Sequence, residues 1–187
     1  MNKEQNLIVV SGPSGSGKDT VVKALMEKYP TVEISVSATT REKRPGEKEG
    51  VNYYYMSVSD FEKKLADGEI LEHTCYCGNY YGTPKAEVDY RIEHNIPVVL
   101  VIEVEGAKNI KKQYPHSTTV FVRPPSYEEL SNRLRGRGTE NEEVIQVRLA
   151  RAVEEMEYAV DYDYVIVNDA VEDCVEELYA IIEQSRK

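Results

Sequence analysis

The sequence predicts an α/β fold, a three-layer core around a parallel sheet with an inserted α+β lobe and a helical lid. Three observations carry this expectation. A short β-branched run, LIVV at 7–10, ends in a glycine-rich loop that opens onto a helical pattern. Three further apolar runs, VVLVIEV at 98–104, TTVFV at 118–122 and YVIV at 164–167, alternate with helical segments, as strands buried on both faces do. Between the first run and the second, residues 34–90 change character, with short strand-like pieces and half of the chain's 14 tyrosines lying between 53 and 90.

The elements follow in order. Residues 18–29 place apolar side chains at 21, 22, 25, 26 and 29, which is helical spacing, and Pro30 ends the run. In the middle segment, Glu33–Val36, Val51–Met56 and Leu71–Cys77 read as strands, and a capping box at Ser59–Glu62 reads as a helix start. Further capping boxes at Ser126–Glu129 and Thr139–Glu142 open two more helices, and a helix is expected over 171–184. The chain is thus expected to be a single domain over 1–187. Its core takes in about 1–33, 95–130 and 155–187, its lobe about 34–94 and its lid about 131–154.

Composition narrows the function. With 187 residues, 41% hydrophobic and 30% charged, the chain is long enough to bury a sizeable core. A formal net charge of −10 gives no general positive field for nucleic acid. The longest apolar run, Ile96 to Val104, contains Pro97 and Glu103 and is too short to span a bilayer. MNKEQNLIVV lacks a secretory apolar region, so a cytoplasmic protein with no membrane partner is expected. Three cysteines argue against a disulfide framework, and Cys75, Cys77 and Cys174 match no zinc spacing.

GPSGSGKDT at 12–20 satisfies G-x-x-x-x-G-K between a strand and a helix. Gly12, Pro13, Ser14, Gly15, Ser16 and Gly17 would turn backbone N–H groups toward phosphate oxygens, and the helix N-terminus would add its positive end. Lys18 would face solvent and reach the β- and γ-phosphates of a nucleoside triphosphate. In so acidic a chain, grouped arginines need an anionic ligand. Arg41 and Arg44 stand in SATTREKRPGE, and Arg133, Arg137 and Arg148 lie around RLRGRGTENEE, where Gly136 and Gly138 supply a hinge.

GPSGSGKDT, SVSATTREKRPGE, GNYYGTP, RLRGRGTE and VIVND, in this order, resemble the guanylate kinases over essentially the whole chain. The resemblance implies a P-loop kinase core, a GMP-binding lobe and a lid. It implies transfer of the γ-phosphoryl group of ATP to GMP, and to dGMP, with Mg²⁺, by a monomer or homodimer. Carried over by position, Lys18, Arg41, Arg133, Arg137 and Arg148 would be catalytic. Arg41 and Arg44 with Tyr53 and Tyr81 would hold the GMP phosphate, and Ser37, Glu72 and Thr83 would read guanine, with Glu103 nearby. Asn168 and Arg137 would lie along the ATP base; Asn168 could equally cap the helix that follows it. The base assignment makes chemical sense. The guanine edge offers two donors that one carboxylate can accept together, whereas adenine would turn a lone pair toward it.

Some positions depart from the family pattern. Asp19 stands where a hydroxyl or glycine is usual, so Asp19 and Thr20 become the candidate metal contacts. Val101 stands in the first place of a usual pair of acids and leaves Glu103, while Glu105 replaces the common glutamine before Gly106. The rival class is a guanylate-kinase-like domain that binds protein partners without catalysis, or a kinase of altered base preference. The retention of Lys18 and all five arginines points to catalysis.

Overall fold

The computed structural model describes residues 3–76, 78–136 and 141–187. A 3₁₀ turn, Lys3–Asn6, leads into β1 (Leu7–Ser11), and α1 (Lys18–Lys28) follows the glycine loop. Next come β2 (Glu33–Ile34), β3 (Ala38–Thr39), β4 (Tyr54–Tyr55), α2 (Val58–Ala66), β5 (Ile70–Tyr76), β6 (Asn79–Pro84) and α3 (Lys85–Glu93). The remainder is β7 (Val98–Val101), α4 (Val104–Gln113), β8 (Thr118–Arg123), α5 (Tyr127–Gly136), α6 (Glu142–Glu157), β9 (Tyr164–Val167) and α7 (Val171–Ser185).

One sheet has the order β2-β7-β1-β8-β9, and all its pairings are parallel. Strand β1 is central and wholly buried because its side chains feed two cores in alternation. Ile8 and Val10 pack with Val21, Val22 and Leu25 of α1 and with Val175, Leu178 and Ile182 of α7. Leu7 and Val9 face the other way, onto Val88 and Ile92 of α3 and Ala107 and Ile110 of α4. These two faces make the three layers. A second sheet, β4-β3-β6-β5, is built from residues 38–84 and packs Ala38 and Ile70 around Phe61 of α2. Helices α5 and α6 share a small core of their own, Leu130, Leu134, Ile145, Leu149 and Ala152.

Several local expectations are corrected. The strand expected at Glu33–Val36 shortens to β2 and joins the core sheet, pairing Glu33 with Val98 and Ile34 with Val99. The run 98–104 is not one strand: β7 stops at Val101, and Glu103 already stands at the N-cap of α4. Helix α2 starts at Val58 rather than after Ser59, because Ser57 Oγ accepts from the Asp60 N–H at 3.1 Å. Ser126 caps α5 as expected, its Oγ accepting from Glu129 N–H at 3.0 Å. Asn141 caps α6, its Oδ1 accepting from Val144 N–H at 2.9 Å; the cap expected at Thr139 lies outside the described residues, as do Gly138 and Arg137.

Candidate active site

The loop between β1 and α1 is fixed from behind. Gly17 adopts φ 87°, and a Cβ there would come 2.2 Å from Asn168 Nδ2, so glycine is required both for the turn and for the approach. Asn168, 2% exposed, donates from Nδ2 to Ser16 O at 2.8 Å. Arg133 donates to the same carbonyl at 3.3 Å and to Asn168 O at 2.9 Å, while Glu129 holds its Nε at 2.7 Å. In a planar trans peptide the carbonyl and the following N–H point opposite ways. Holding Ser16 O behind the loop therefore aims Gly17 N–H to the front. Ser14 Oγ accepts a hydrogen bond from Arg148 Nη2. Lys18 is only 8% exposed, which corrects the expectation of a solvent-facing lysine: the cleft itself encloses it.

That cleft has a volume of about 420 Å³ and runs from Ser14, Lys18 and Asp19 to Glu72 and Tyr81. Glu72, on β5, is buried, and Thr83 Oγ1 on β6 donates to its Oε1 at 2.7 Å. Burial lifts its pKa to about 7 and the neighbouring charge of Glu103 adds to the rise, against the bond from Thr83. The other oxygen faces α4, where a Cβ on Gly106 would come 2.4 Å from Oε2. Gly106 thus makes room for the carboxylate. Ser37 and Thr74 stand in the same wall.

A cation site adjoins this wall. Arg41 Nη2 donates to Glu47 Oε1 at 2.7 Å, and its guanidinium lies 5.5 Å from the centroid of Tyr53. Tyr53 meets Tyr81 edge-on at 5.9 Å. Glu47 also accepts from Arg44 N–H and from Tyr55 Oη–H, each at 2.8 Å. The bond from Arg41, followed by that from Arg44 N–H, holds the Glu47 carboxyl at a pKa of about 2. Arg41 itself is not part of the cleft lining; its fixed guanidinium stands behind Tyr53, while the P-loop lysine and the buried acceptor Glu72 both line the cleft.

The family model for guanylate kinase matches residues 4–185. The chain belongs to the guanylate kinase family. A guanylate kinase of Desulfitobacterium hafniense is 48% identical over 182 residues, covering 96% of this chain and 91% of the relative. One from Gloeobacter violaceus is 49% identical over 170 residues, 91% of this chain and 83% of the relative. The crystal structure of guanylate kinase from Anaplasma phagocytophilum superposes with a TM-score of 0.79 at 32% identity, covering 96% of this chain and 85% of that one. A shikimate kinase from Bacteroides thetaiotaomicron, 17% identical with a TM-score of 0.51, shares the fold alone.

Against the positions carried over from the guanylate kinases, the cleft brings together Ser14, Gly15, Lys18, Asp19, Ser37, Tyr53, Glu72, Tyr81, Glu103 and Arg148. Thr83 acts from behind Glu72, and Arg133 and Asn168 hold the P-loop from behind rather than lining the cleft. The helix-cap alternative for Asn168 is excluded, since Ala170 occupies the N-cap of α7 and no side chain caps it. Arg44 and Thr20 are exposed and lie off the cleft lining. Sequence reasoning missed Glu47, Thr74, Gly106, Arg151 and Glu155. The close spacing of Arg41, Arg44 and Glu47 in one loop was a signal for the first of these; for the others nothing local marks them.

Among the described residues no cluster of three or more His, Cys, Asp or Glu could hold a metal ion. The donor set nonetheless suits Mg²⁺, which keeps several waters and takes one or two carboxylates together with substrate phosphates. Asp19 lines the cleft beside Lys18 and can supply such a carboxylate.

Proposed function

We propose that this protein transfers the γ-phosphoryl group of ATP to GMP, and to dGMP, giving ADP and the nucleoside diphosphate. The observation that carries this reading is a buried carboxylate, Glu72, facing the same cleft as the P-loop Lys18. The first suits the two donors of a guanine edge and the second a triphosphate.

No side-chain nucleophile is required. The attacking oxygen belongs to the GMP phosphate, which is largely dianionic near neutral pH because its second pKa is about 6. Arg41, held by Glu47 and packed on Tyr53, would fix that phosphate, with Tyr81 beside it. Lys18, with Gly15 and Ser14, would hold the donor phosphates. Arg148 approaches the P-loop from α6 and with Arg137 would neutralise charge as the phosphoryl group moves in line, while Arg133 of α5 would fix the loop's shape from behind. Closure of α5 and α6, the lid, would exclude water that otherwise wastes ATP. Mg²⁺ would supply further charge neutralisation, and Asp19 would be the residue to hold it from the cleft, whereas Thr20 lies off the lining.

No helix is long and apolar enough to cross a membrane among the described residues. We place the protein in the cytoplasm as a monomer or homodimer with small-molecule substrates and no nucleic-acid partner, in keeping with its formal net charge of −10. The test is ADP formation with GMP, dGMP, AMP, CMP and UMP, with and without Mg²⁺. The expected result is turnover with the guanine nucleotides alone and only with metal. Equal turnover of AMP and GMP would overturn the guanine assignment, and no turnover at all would overturn the reaction.

A further inference from the structure

The mechanism above leaves one buried acid and one cation of the cleft without a task. Arg151 and Glu155 stand four residues apart on α6, on the face that also brings Arg148 to the cleft. Glu155 is 7% exposed. Burial raises its pKa first and the charge of Glu103 raises it further, before Arg151 and Lys18 draw it down. A carboxylate buried beside another acid is costly to keep. What it does here is hold Arg151, whose Nε donates to Glu155 Oε1 at 2.8 Å.

The pair is lopsided. The Glu155 side chain is 9% exposed and that of Arg151 is 49% exposed. The guanidinium is therefore gripped at Nε by the buried acid, on a residue that lines the cleft one turn of helix beyond Arg148 and its contact with Ser14. Charge points the same way. The cleft lining carries the acids Asp19, Glu72, Glu103 and Glu155 against the cations Lys18, Arg148 and Arg151. Without Arg151, those acids would face two cations in the space where two phosphate chains must meet.

We propose that Arg151 is a further catalytic residue that clamps the phosphoryl group in transit, and that Glu155 is its positioning residue. The inference rests on the phosphotransfer reading given above. A guanidinium held at Nε presents its two terminal nitrogens together, the geometry that binds two oxygens of one phosphate. Glu155, by fixing the stem, places that fork before substrate arrives, so the ordering cost is met in folding.

The test is a steady-state comparison of wild type, R151A, R151K, R151Q, E155Q and the R151A/E155Q double variant, with K18A as the inactive reference. R151A is expected to lower kcat by about 10- to 100-fold, the scale of a hydrogen bond to a charged group, while leaving both KM values within about threefold. R151K should recover only part of the loss, because an ammonium cannot bridge two oxygens in a plane. E155Q should lower kcat less than R151A and add nothing in the R151A background, a non-additivity that a merely structural role would not produce. Wild-type kcat in R151A, or a loss from E155Q that persists undiminished in R151A, would overturn the assignment. If the alanine variant does not fold, R151Q carries the same test, and wild-type kcat in it would likewise overturn the proposal. A wild-type protein indistinguishable from K18A would instead overturn the phosphotransfer reading itself.

Discussion

Thr83 Oγ1 donates to Glu72 Oε1 at 2.7 Å, and the two residues belong to neighbouring antiparallel strands, β6 and β5. The bond stabilises the ionised acid, yet burial outweighs it and the carboxyl titrates at about 7 instead of its ordinary 4.5. That difference corresponds to roughly 3 kcal/mol favouring the protonated form. The associated stability is fully present below about pH 4.5 and is lost as the pH rises through about 7. A guanine edge needs the ionised form. Binding of GMP near pH 6.5 should therefore release a proton from Glu72, beyond any that the GMP phosphate gives up. Calorimetry in buffers of different ionisation enthalpy reads this directly, and Glu72→Gln should remove the Glu72 component while leaving that of the phosphate. Equal proton release in both proteins would mean that Glu72 does not meet the base.

Glu47 holds Arg41, and it does so from a partly open position. Glu47→Gln should raise the KM for GMP by up to about tenfold, no more, since the pair is partly solvated. The KM for ATP should hardly move. The carboxyl titrates near 2, below its ordinary 4.5, so the pairing is intact above about pH 4.5 and is lost only as the pH falls through about 2. GMP binding between pH 5 and 8 should accordingly show no titration from Glu47. A change of equal size in both KM values would count against a role at the acceptor phosphate.

Lys18→Ala should lower turnover at least about a hundredfold, as other lost transition-state contacts do. Although Lys18 is 8% exposed, it lines a cleft and not the apolar core, so far-ultraviolet circular dichroism should be unchanged. Near-wild-type turnover would exclude the P-loop as the donor site.

Asp19 lines the cleft next to Lys18, where, with donor phosphates bound, a carboxylate would help only when a cation neutralises it. At an effective dielectric near 20, like charges about 4 Å apart cost roughly 4 kcal/mol. Asp19→Ser should raise the Mg²⁺ concentration for half-maximal rate and tighten ATP binding in EDTA. Unchanged values for both would show that Asp19 serves neither role.

The core was legible because its signals are local and redundant. LIVV at 7–10 is apolar at every position, and a strand that feeds two cores has to be. Strand β3 was not legible: Ala38 and Thr39 carry no strand signal and are fixed by pairing with Tyr54, Tyr55, Tyr81 and Gly82. Helix α3 hid behind KAEVDYRIE, where only Val88 and Ile92 turn inward. The run 98–104 misled because β7 and the start of α4 are both apolar, and a run interrupted by Glu103 alone does not record where hydrogen bonding changes from strand to helix. The same limit governs the site. GPSGSGKDT is contiguous and could be read, whereas Gly106 matters only because Glu72, far away in sequence, lies against it.

The grip of Asn168 on Ser16 O has a temporal consequence. Ribosomes add about 5–20 residues each second, so the nucleotide motif near the N-terminus emerges several seconds before the residue that fixes its shape. Strand β1 itself waits for β7 and β8 to flank it. A nascent chain that displays GPSGSGKDT therefore still lacks the contact that closes the back of the loop, and the cradle takes its full shape only after residue 168 has left the exit tunnel.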